Sequence, residues 1–133
     1  MDIALTLCYL VPGAKYYGST SANDEAAYDA LDWKDERPKP SWQDIVDNTE
    51  TAELLFWRAG VIVTPLQLIR GLIIIDEYAL VESYIAQAGP DVQMSWNRSV
   101  EIPRNDQFVG QMLQLLEKSD EEADMLFALA LTL

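Results

Sequence analysis

Residues 41–60 read SWQDIVDNTETAELLFWRAG, and this stretch determines the fold expected for the rest of the chain. Ser41 followed by Asp44 is a helix-start signal, because a serine N-cap accepts a backbone N–H of the first turn and acidic residues there complement the helix dipole. Apolar side chains then recur at helical spacing, at Trp42, Ile45, Val46, Ala52, Leu55, Phe56 and Ala59. Gly60 is a typical helix end. The sequence therefore predicts one long helix from Ser41 to about Ala59 with these apolar residues near one buried stripe.

Helix signals continue from residue 61 to the C-terminus. Thr64 places a cap ahead of Pro65 at the first helical position, and Ser119 with Glu122 forms a capping box. Further helices are predicted from Pro65 to about Ile75, and from there through Tyr84 and Ala88 to a stop at Gly89-Pro90. Others are predicted over 91–98 with Trp96, from an Asn105 cap through Leu116, and from Ser119 onward with Ala123, Leu126, Phe127 and Ala130 buried. Residues 41–133 are thus predicted to form a bundle of short helices.

The first forty residues carry extended signals instead. Residues 3–11 alternate at a period of two and end at Pro12-Gly13, which predicts a strand closed by a turn, with Cys8 buried in it. An extended piece around 14–18 is predicted to pair back to that strand, and residues 28–33 to form another short strand or turn. Pro38 and Pro40 bias their predecessors away from helical angles and predict an extended connector. The expected fold is α+β, mainly α, with an extended/β arm at 1–40 and a helical bundle at 41–133.

The charge balance and residue inventory exclude several kinds of function. The chain has 133 residues, and 9 Lys plus Arg against 22 Asp plus Glu give a net charge of −13. Such a field repels the phosphates of nucleic acids. There is no histidine and Cys8 is the single cysteine, so the commonest acid/base group and a multi-cysteine metal site are missing. We expect no nucleic-acid partner, no metal, no cofactor and no catalytic residues.

Carboxylates are the remaining reactive groups, and they keep an enzyme open as the weaker alternative. Asp29, Asp32, Asp35 and Glu36 cluster, but they lack the residue order of a calcium loop, and a solvated acidic loop explains them. The acidic run at 120–124 lies where a helix start favours negative charge. Glycosidase-type chemistry needs two carboxylates at a defined separation across a cleft, which no spacing in this sequence predicts.

Neither a membrane span nor an export signal is expected. The most apolar internal stretch, 61–75, contains Thr64, Pro65, Gln67 and Arg70, and it falls short of the roughly 20 consecutive apolar residues that a span requires. The apolar run at 3–11 follows Asp2, whereas a signal peptide carries positive charge at this place.

Aromatic side chains crowd the N-terminal third of the chain, at Tyr9, Tyr16, Tyr17, Tyr28, Trp33 and Trp42. Packing of strands onto the bundle, sugar stacking and a protein interface all remain open. Tyr and Trp supply large contact area at small entropic cost and are enriched at binding hot spots. Because the core is expected to be thin here, the predicted partner-binding surface is Tyr28, Trp33, Pro38, Pro40 and Trp42. Trp57 and Trp96 lie within helical patterns and are predicted to be mostly core residues.

Several short motifs resemble small tail-fibre-associated proteins of tailed bacteriophages. At the joint, YDALDW at 28–33 is followed by KPSW at 39–42, similar to an aromatic-ended extended segment with a Lys-Pro-Ser/Thr step into a helix. Downstream, VTPLQL at 63–68, Trp96, Arg104-Asn105, Ser119-Asp120 and DMLFALA at 124–130 resemble the helical module at the C-terminus of many such proteins. Each matched residue is also a cap, a turn or a core position, so the motifs also suit the fold without the function.

The resemblance implies a non-enzymatic protein that assists tail-fibre assembly. It implies a chaperone that binds the fibre protein through the N-terminal arm, in the host cytoplasm during assembly, or alternatively a small structural subunit retained in the virion tail or baseplate. An extended arm suits this task, because strand addition can cover unpaired edges of a partner. The expected partner is a phage tail-fibre or other tail protein, and a homo-oligomer is left open.

Overall fold

The computed structural model describes residues 1–133, and the chain folds as predicted into an α+β structure that is mainly α. It is 62% helical, with eight helices and only two small antiparallel sheets. The chain divides into two compact units, an N-terminal unit at Met1–Trp57 and a C-terminal unit at Arg58–Leu133. This division differs from the predicted one after residue 40, because Ile45 belongs to the core of the N-terminal unit.

The N-terminal unit begins with a helix, so the predicted strand at 3–11 is wrong. Helix α1 is Ile3–Leu10, and Asp2 caps it by accepting the N–H of Leu5 at 2.9 Å. Ile3, Thr6 and Leu7 form its buried face, which has the i, i+3, i+4 spacing of a helix. Because residues 4 and 8 fall outside this face, Cys8 is exposed rather than buried.

A two-stranded antiparallel sheet follows, formed by β1 at Tyr16–Tyr17 and β2 at Asp32–Trp33. We name this sheet the aromatic ribbon. The extended piece at 14–18 thus pairs with β2 and not, as predicted, with residues 3–11. Between the two strands lies the short helix α2, Glu25–Asp29, so Tyr28 is helical rather than extended. The core of the unit is Ile3, Leu7, Tyr28, Leu31 and Ile45, with Leu10, Tyr16, Trp33 and Trp42 packed against it.

Helix α3, Trp42–Gly60, confirms the long helix predicted from the opening stretch. Its buried residues are Ile45, Thr49 and Ala52. The predicted stripe is therefore only partly right: Val46, Leu55 and Phe56 are exposed, Phe56 by 65%. Apolar periodicity identifies the face that a helix can bury, but it does not say how far along the helix a partner extends.

The C-terminal unit is a bundle of short helices: α4 at Pro65–Ile74, α5 at Tyr78–Gln87, α6 at Pro90–Arg98, α7 at Gln107–Leu115 and α8 at Asp120–Leu131. Strand β3, Ile62–Val63, pairs antiparallel with β4, Ile102–Pro103. Two of the three caps predicted for this unit are confirmed, since Thr64 and Ser119 each form a complete capping box. The cap of α7 is Asp106 instead of Asn105.

Helix α4 packs closely on α8 and builds the centre of this unit. The stripe predicted for α8 is confirmed, because Ala123, Leu126, Phe127 and Ala130 are all buried. Gly71 of α4 allows the close approach, since a Cβ there would lie 3.0 Å from Cδ1 of Leu126. Trp57 and Trp96 are half-buried rather than fully in a core.

Candidate functional site

The aromatic ribbon is the centre of the candidate site in the N-terminal unit. The Tyr16 and Trp33 rings face each other across the two strands and are stacked, with centroids 6.3 Å apart and planes within 2°. The indole Nε1 of Trp33 donates to the carbonyl of Arg37 at 2.8 Å. Both rings also pack against the core of the unit. The ribbon is therefore anchored by one face while its neighbour Tyr17 is 71% exposed.

Tyr28, one of the five predicted contact residues, is a core residue. Its side chain is only 2% exposed, its hydroxyl donates to the carbonyl of Pro40 at 2.5 Å, and its ring packs at a tilt against Trp42 with centroids 5.7 Å apart. Lys39 Nζ lies 4.5 Å from the ring centroid and donates to the Tyr28 carbonyl at 2.9 Å. In this conformation the buried ring offers a partner almost no area, so its burial argues against Tyr28 as a contact residue.

Burial also perturbs the titration of this residue. Desolvation raises the pKa of the Tyr28 phenol above its ordinary value of 10.0, and the nearby carboxylates of Asp44 and Asp29 raise it further. The neutral phenol is thus the favoured form, and it is the form that donates to Pro40.

The other four predicted residues remain accessible to different degrees. Pro38 is exposed, whereas Trp33, Pro40 and Trp42 are half-buried. Trp33 and Trp42 each place one side against the core and leave the rest accessible. Trp33 and Trp42 therefore contribute to packing, and a protein interface at these four residues stays a prediction.

The predicted contact surface did not include Tyr17. With 71% of its surface exposed, Tyr17 is the most exposed aromatic side chain of this unit. The sequence signal that would have identified it is Gly18, which follows directly; in the structure the φ of Gly18 is +124°, a value that favours glycine and ends the strand. A Cβ on Gly18 would also lie 3.0 Å from Cδ2 of Leu31. A tyrosine before such a turn lies at the end of its strand.

A side-chain clasp, formed by Asp35 and Arg37, connects the ribbon to the proline-rich connector. Asp35 accepts from Nε of Arg37 at 2.7 Å and from Nη2 at 2.8 Å, and it also accepts the N–H of Lys15 at 3.0 Å. Arg37 Nη1 donates to the carbonyl of Pro12 at 3.0 Å. Hydrogen bonding by Arg37 lowers the pKa of Asp35 well below its ordinary range. Asp35 is therefore a structural carboxylate and not part of a solvated acidic loop.

The remaining reactive groups lie in other settings. No three His, Cys, Asp or Glu side chains come close enough together to hold a metal ion. In the C-terminal unit, Asp124 accepts from Nε of both Arg58 and Arg104, at 2.9 and 3.1 Å. The hydrogen bond with Asp124 raises the pKa of the Arg58 guanidinium. These groups form a structural ion-pair network.

Comparisons with known proteins give no match to this chain among protein-family models, curated proteins or solved structures. None of the eight helices has the length and apolar character needed to cross a bilayer.

Proposed function

We propose that this chain is a non-enzymatic assembly protein that binds another polypeptide through its N-terminal unit. The observation that carries the proposal is the aromatic ribbon, a preformed sheet of only two strands that presents an exposed Tyr17 beside the stacked Tyr16–Trp33 pair. In a two-stranded sheet each strand has one neighbour only, so its outer edge can accept a further strand from a partner.

The nature of the contact follows from the side chains around that edge. Backbone hydrogen bonds of an added strand supply affinity, and side chains beside it supply specificity. Tyr17 and Trp33 belong to the ribbon itself and keep accessible area, and Pro38, Pro40 and Trp42 of the connector and the start of α3 also keep some. Aromatic residues with few rotatable bonds lose little entropy when a partner covers them. The net charge of −13 keeps such a molecule soluble while its apolar side chains are uncovered.

The resemblance to tail-fibre-associated proteins leads us to propose a bacteriophage tail-fibre protein as the partner and a chaperone as the role. A fibre subunit exposes strand edges before it trimerises, and an added strand from this ribbon would cover them. A small structural subunit that stays in the virion tail or baseplate would use the same contact. The two roles differ only in whether the complex persists in the finished particle.

Co-expression with a candidate fibre protein tests the proposal. The Tyr17→Ala, Trp33→Ala double variant should lower recovery of the fibre in a pull-down by about tenfold or more, as expected for loss of hot-spot aromatics. Tyr9→Ala is the matched control, because Tyr9 is an exposed tyrosine of the same unit outside the ribbon. Circular dichroism verifies that each variant keeps its helical content.

Undiminished fibre recovery with the double variant would reject the ribbon as the contact surface. If the ribbon is confirmed, mass spectrometry of finished particles separates the two roles. A chaperone is required for soluble fibre but absent from particles, whereas a tail subunit is present at fixed stoichiometry. Turnover of a substrate that depends on one or two carboxylates would instead establish an enzyme.

A further inference from the structure

A groove of about 800 Å³ lies in the C-terminal unit between α6, the start of α7 and the segment that connects them. Its apolar lining includes Trp96 and Phe108, whose rings pack at a tilt with centroids 5.3 Å apart, and Ile102 of β4. Both rings are half-buried, so each leaves area facing the groove. We name this feature the α6–α7 groove. Its volume is in the range of ligand-binding clefts.

Helix α6 is the wall of the groove that lacks cover. It contains no buried residue, although Val92 and Trp96 line the groove at i, i+4 spacing. It is held to the end of α5 by the side chain of Gln93, which donates to the carbonyls of Ala86 and Ala88, both at 3.2 Å. Because the side chains of α6 are at most half-buried, part of its apolar face remains available for a partner.

The opposite wall and the floor are held rigidly. Asp106 caps α7 by accepting the N–H of Phe108 at 2.8 Å, which places that ring at the start of the helix. Pairing of Ile102 with Val63, and the N–H of Arg104 donating to the carbonyl of Val61 at 3.0 Å, fix the connecting segment. The groove is therefore preformed, which reduces the entropy cost of binding.

Charge around the groove identifies the kind of occupant. The charged lining residues are three carboxylates, Asp91, Glu101 and Asp106, against one guanidinium, Arg98. None of these four forms an ion pair within the chain. A partner that places Lys or Arg opposite these carboxylates and apolar side chains on the aromatic pair is complementary in both respects.

We infer that the α6–α7 groove binds a cationic amphipathic helix of another protein, with its apolar side chains on Trp96 and Phe108 and its basic side chains at the acidic rim. A groove bordered by two helices suits the helix-in-groove mode of recognition. A second copy of this chain does not match, because it carries 22 acidic against 9 basic residues. This surface is independent of the aromatic ribbon, so the proposal does not rest on the proposed function.

Fluorescence anisotropy with two labelled peptides tests this inference on the full-length protein. One peptide is an amphipathic Lys/Leu helix, and the other has the same pattern with Glu in place of Lys. We expect the Lys/Leu peptide to bind and the Glu/Leu peptide not to bind. Trp96→Leu should weaken binding by about tenfold or more, since removal of a hot-spot aromatic typically costs at least that factor.

A matched pair of charge reversals distinguishes the groove from the overall negative field. Glu101→Lys and Glu82→Lys both change an exposed glutamate of the same unit, but only Glu101 lines the groove. We expect Glu101→Lys to weaken Lys/Leu binding by about tenfold, and Glu82→Lys to change it by less than about twofold. Equal losses in the two variants would mean nonspecific attraction and would overturn the inference.

Two further outcomes would also overturn it. Amide chemical-shift changes caused by the Lys/Leu peptide should fall on residues 91–111, and changes concentrated elsewhere would place the binding site outside the groove. Concentration-dependent self-association that Trp96→Leu abolishes would identify a second copy as the occupant. Trp96→Leu keeps a large apolar side chain and Glu101→Lys changes only an exposed residue, so we expect both variants to fold, and circular dichroism checks this before their binding is compared.

Discussion

The carboxylate of Asp124 holds two arginines of the C-terminal unit, and its removal should destabilise that unit strongly. Arg58 donates to it from Nε and from Nη2, at 2.9 and 2.7 Å, and Arg104 donates from Nε at 3.1 Å. The side chains of Asp124, Arg58 and Arg104 are only 14%, 15% and 5% exposed. Asp124→Asn retains one acceptor oxygen but removes the negative charge, so both guanidinium groups lose their shared counter-ion in a poorly hydrated place.

The size of the effect follows from the burial and from the contacts that survive. Removing one partner of a buried ion pair costs about 3 to 5 kcal/mol. Arg104 keeps its 3.0 Å contact with Oδ1 of Asp120, so we expect the lower end, about 3 kcal/mol. With a urea dependence of about 2 kcal/mol per molar, the unfolding midpoint should fall by about 1.5 M. A loss of this size is a large share of the free energy of unfolding of a typical protein domain, which is about 5 to 15 kcal/mol.

Asp120→Asn is the matched control, because it is the same substitution on the same helix and its carboxylate also contacts Arg104. Asp120 is 67% exposed, so the change should cost less than about 1 kcal/mol. Urea unfolding followed by far-ultraviolet circular dichroism at neutral pH compares the two variants. If Asp124→Asn and Asp120→Asn shift the midpoint equally, burial does not control the strength of this network and the reasoning fails.

Three further perturbations have defined outcomes. Ser41→Ala removes the cap of α3 and should lower the free energy of unfolding by about 1 kcal/mol in urea unfolding. Hydrogen bonds from Ser41 also lower the pKa of Asp44. The contribution of this cap to the free energy of unfolding should therefore be complete at neutral pH and lost as the pH falls through the folded-state pKa of Asp44. If the wild type keeps the same stability advantage over Ser41→Ala in acid, this explanation is wrong. Because the pKa of the Tyr28 phenol is raised, the contribution of the neutral phenol to stability is complete below pH 10.0 and lost as the pH rises through its folded-state pKa. Tyr28→Phe should therefore remove a late step from the phenolate absorbance titration. An unaltered titration curve would show that the pKa of Tyr28 is not raised. Gly71→Val should destabilise by about 1 to 3 kcal/mol through overpacking against Leu126, and unchanged stability in urea would show that this side chain moves freely.

Helix starts in this chain were predictable because they are local. The caps at Thr64 and Ser119 each depend on a partner three residues ahead, so the pattern of residue types is enough to identify them. The first helix was wrongly predicted as a strand, and the reason is equally local. Residues 3–11 are nearly all apolar, so alternation at period two and the helical face of Ile3, Thr6 and Leu7 both fit the sequence. Asp2 as a cap favoured the helix, and the prediction gave it no weight.

The candidate site was less predictable, because it depends on contacts between residues distant in sequence. An aromatic-rich segment with few aliphatic neighbours favours an interface, yet Tyr28 is buried by its contacts with Lys39, Pro40 and Trp42. No spacing in the sequence indicates that the connector folds back over this ring. The buried arginine pair on Asp124 was missed for the same reason, since Arg58 and Asp124 lie 66 residues apart.

The aromatic ribbon is more firmly held in its sheet conformation than its two short strands alone would imply. Sheets of two short strands are marginal in water by themselves, and binding by an unstructured segment would include the entropy cost of ordering it. Here the Tyr16–Trp33 stack and the hydrogen bonds of Asp35 to Lys15 and Arg37 hold the strands before any partner arrives. The ordering cost is therefore met during folding of the N-terminal unit, and an added strand would gain its backbone hydrogen bonds against a fixed edge. This preorganisation, together with the exposed tyrosine at the end of β1, is why the ribbon is a stronger contact candidate than the extended arm expected from the sequence.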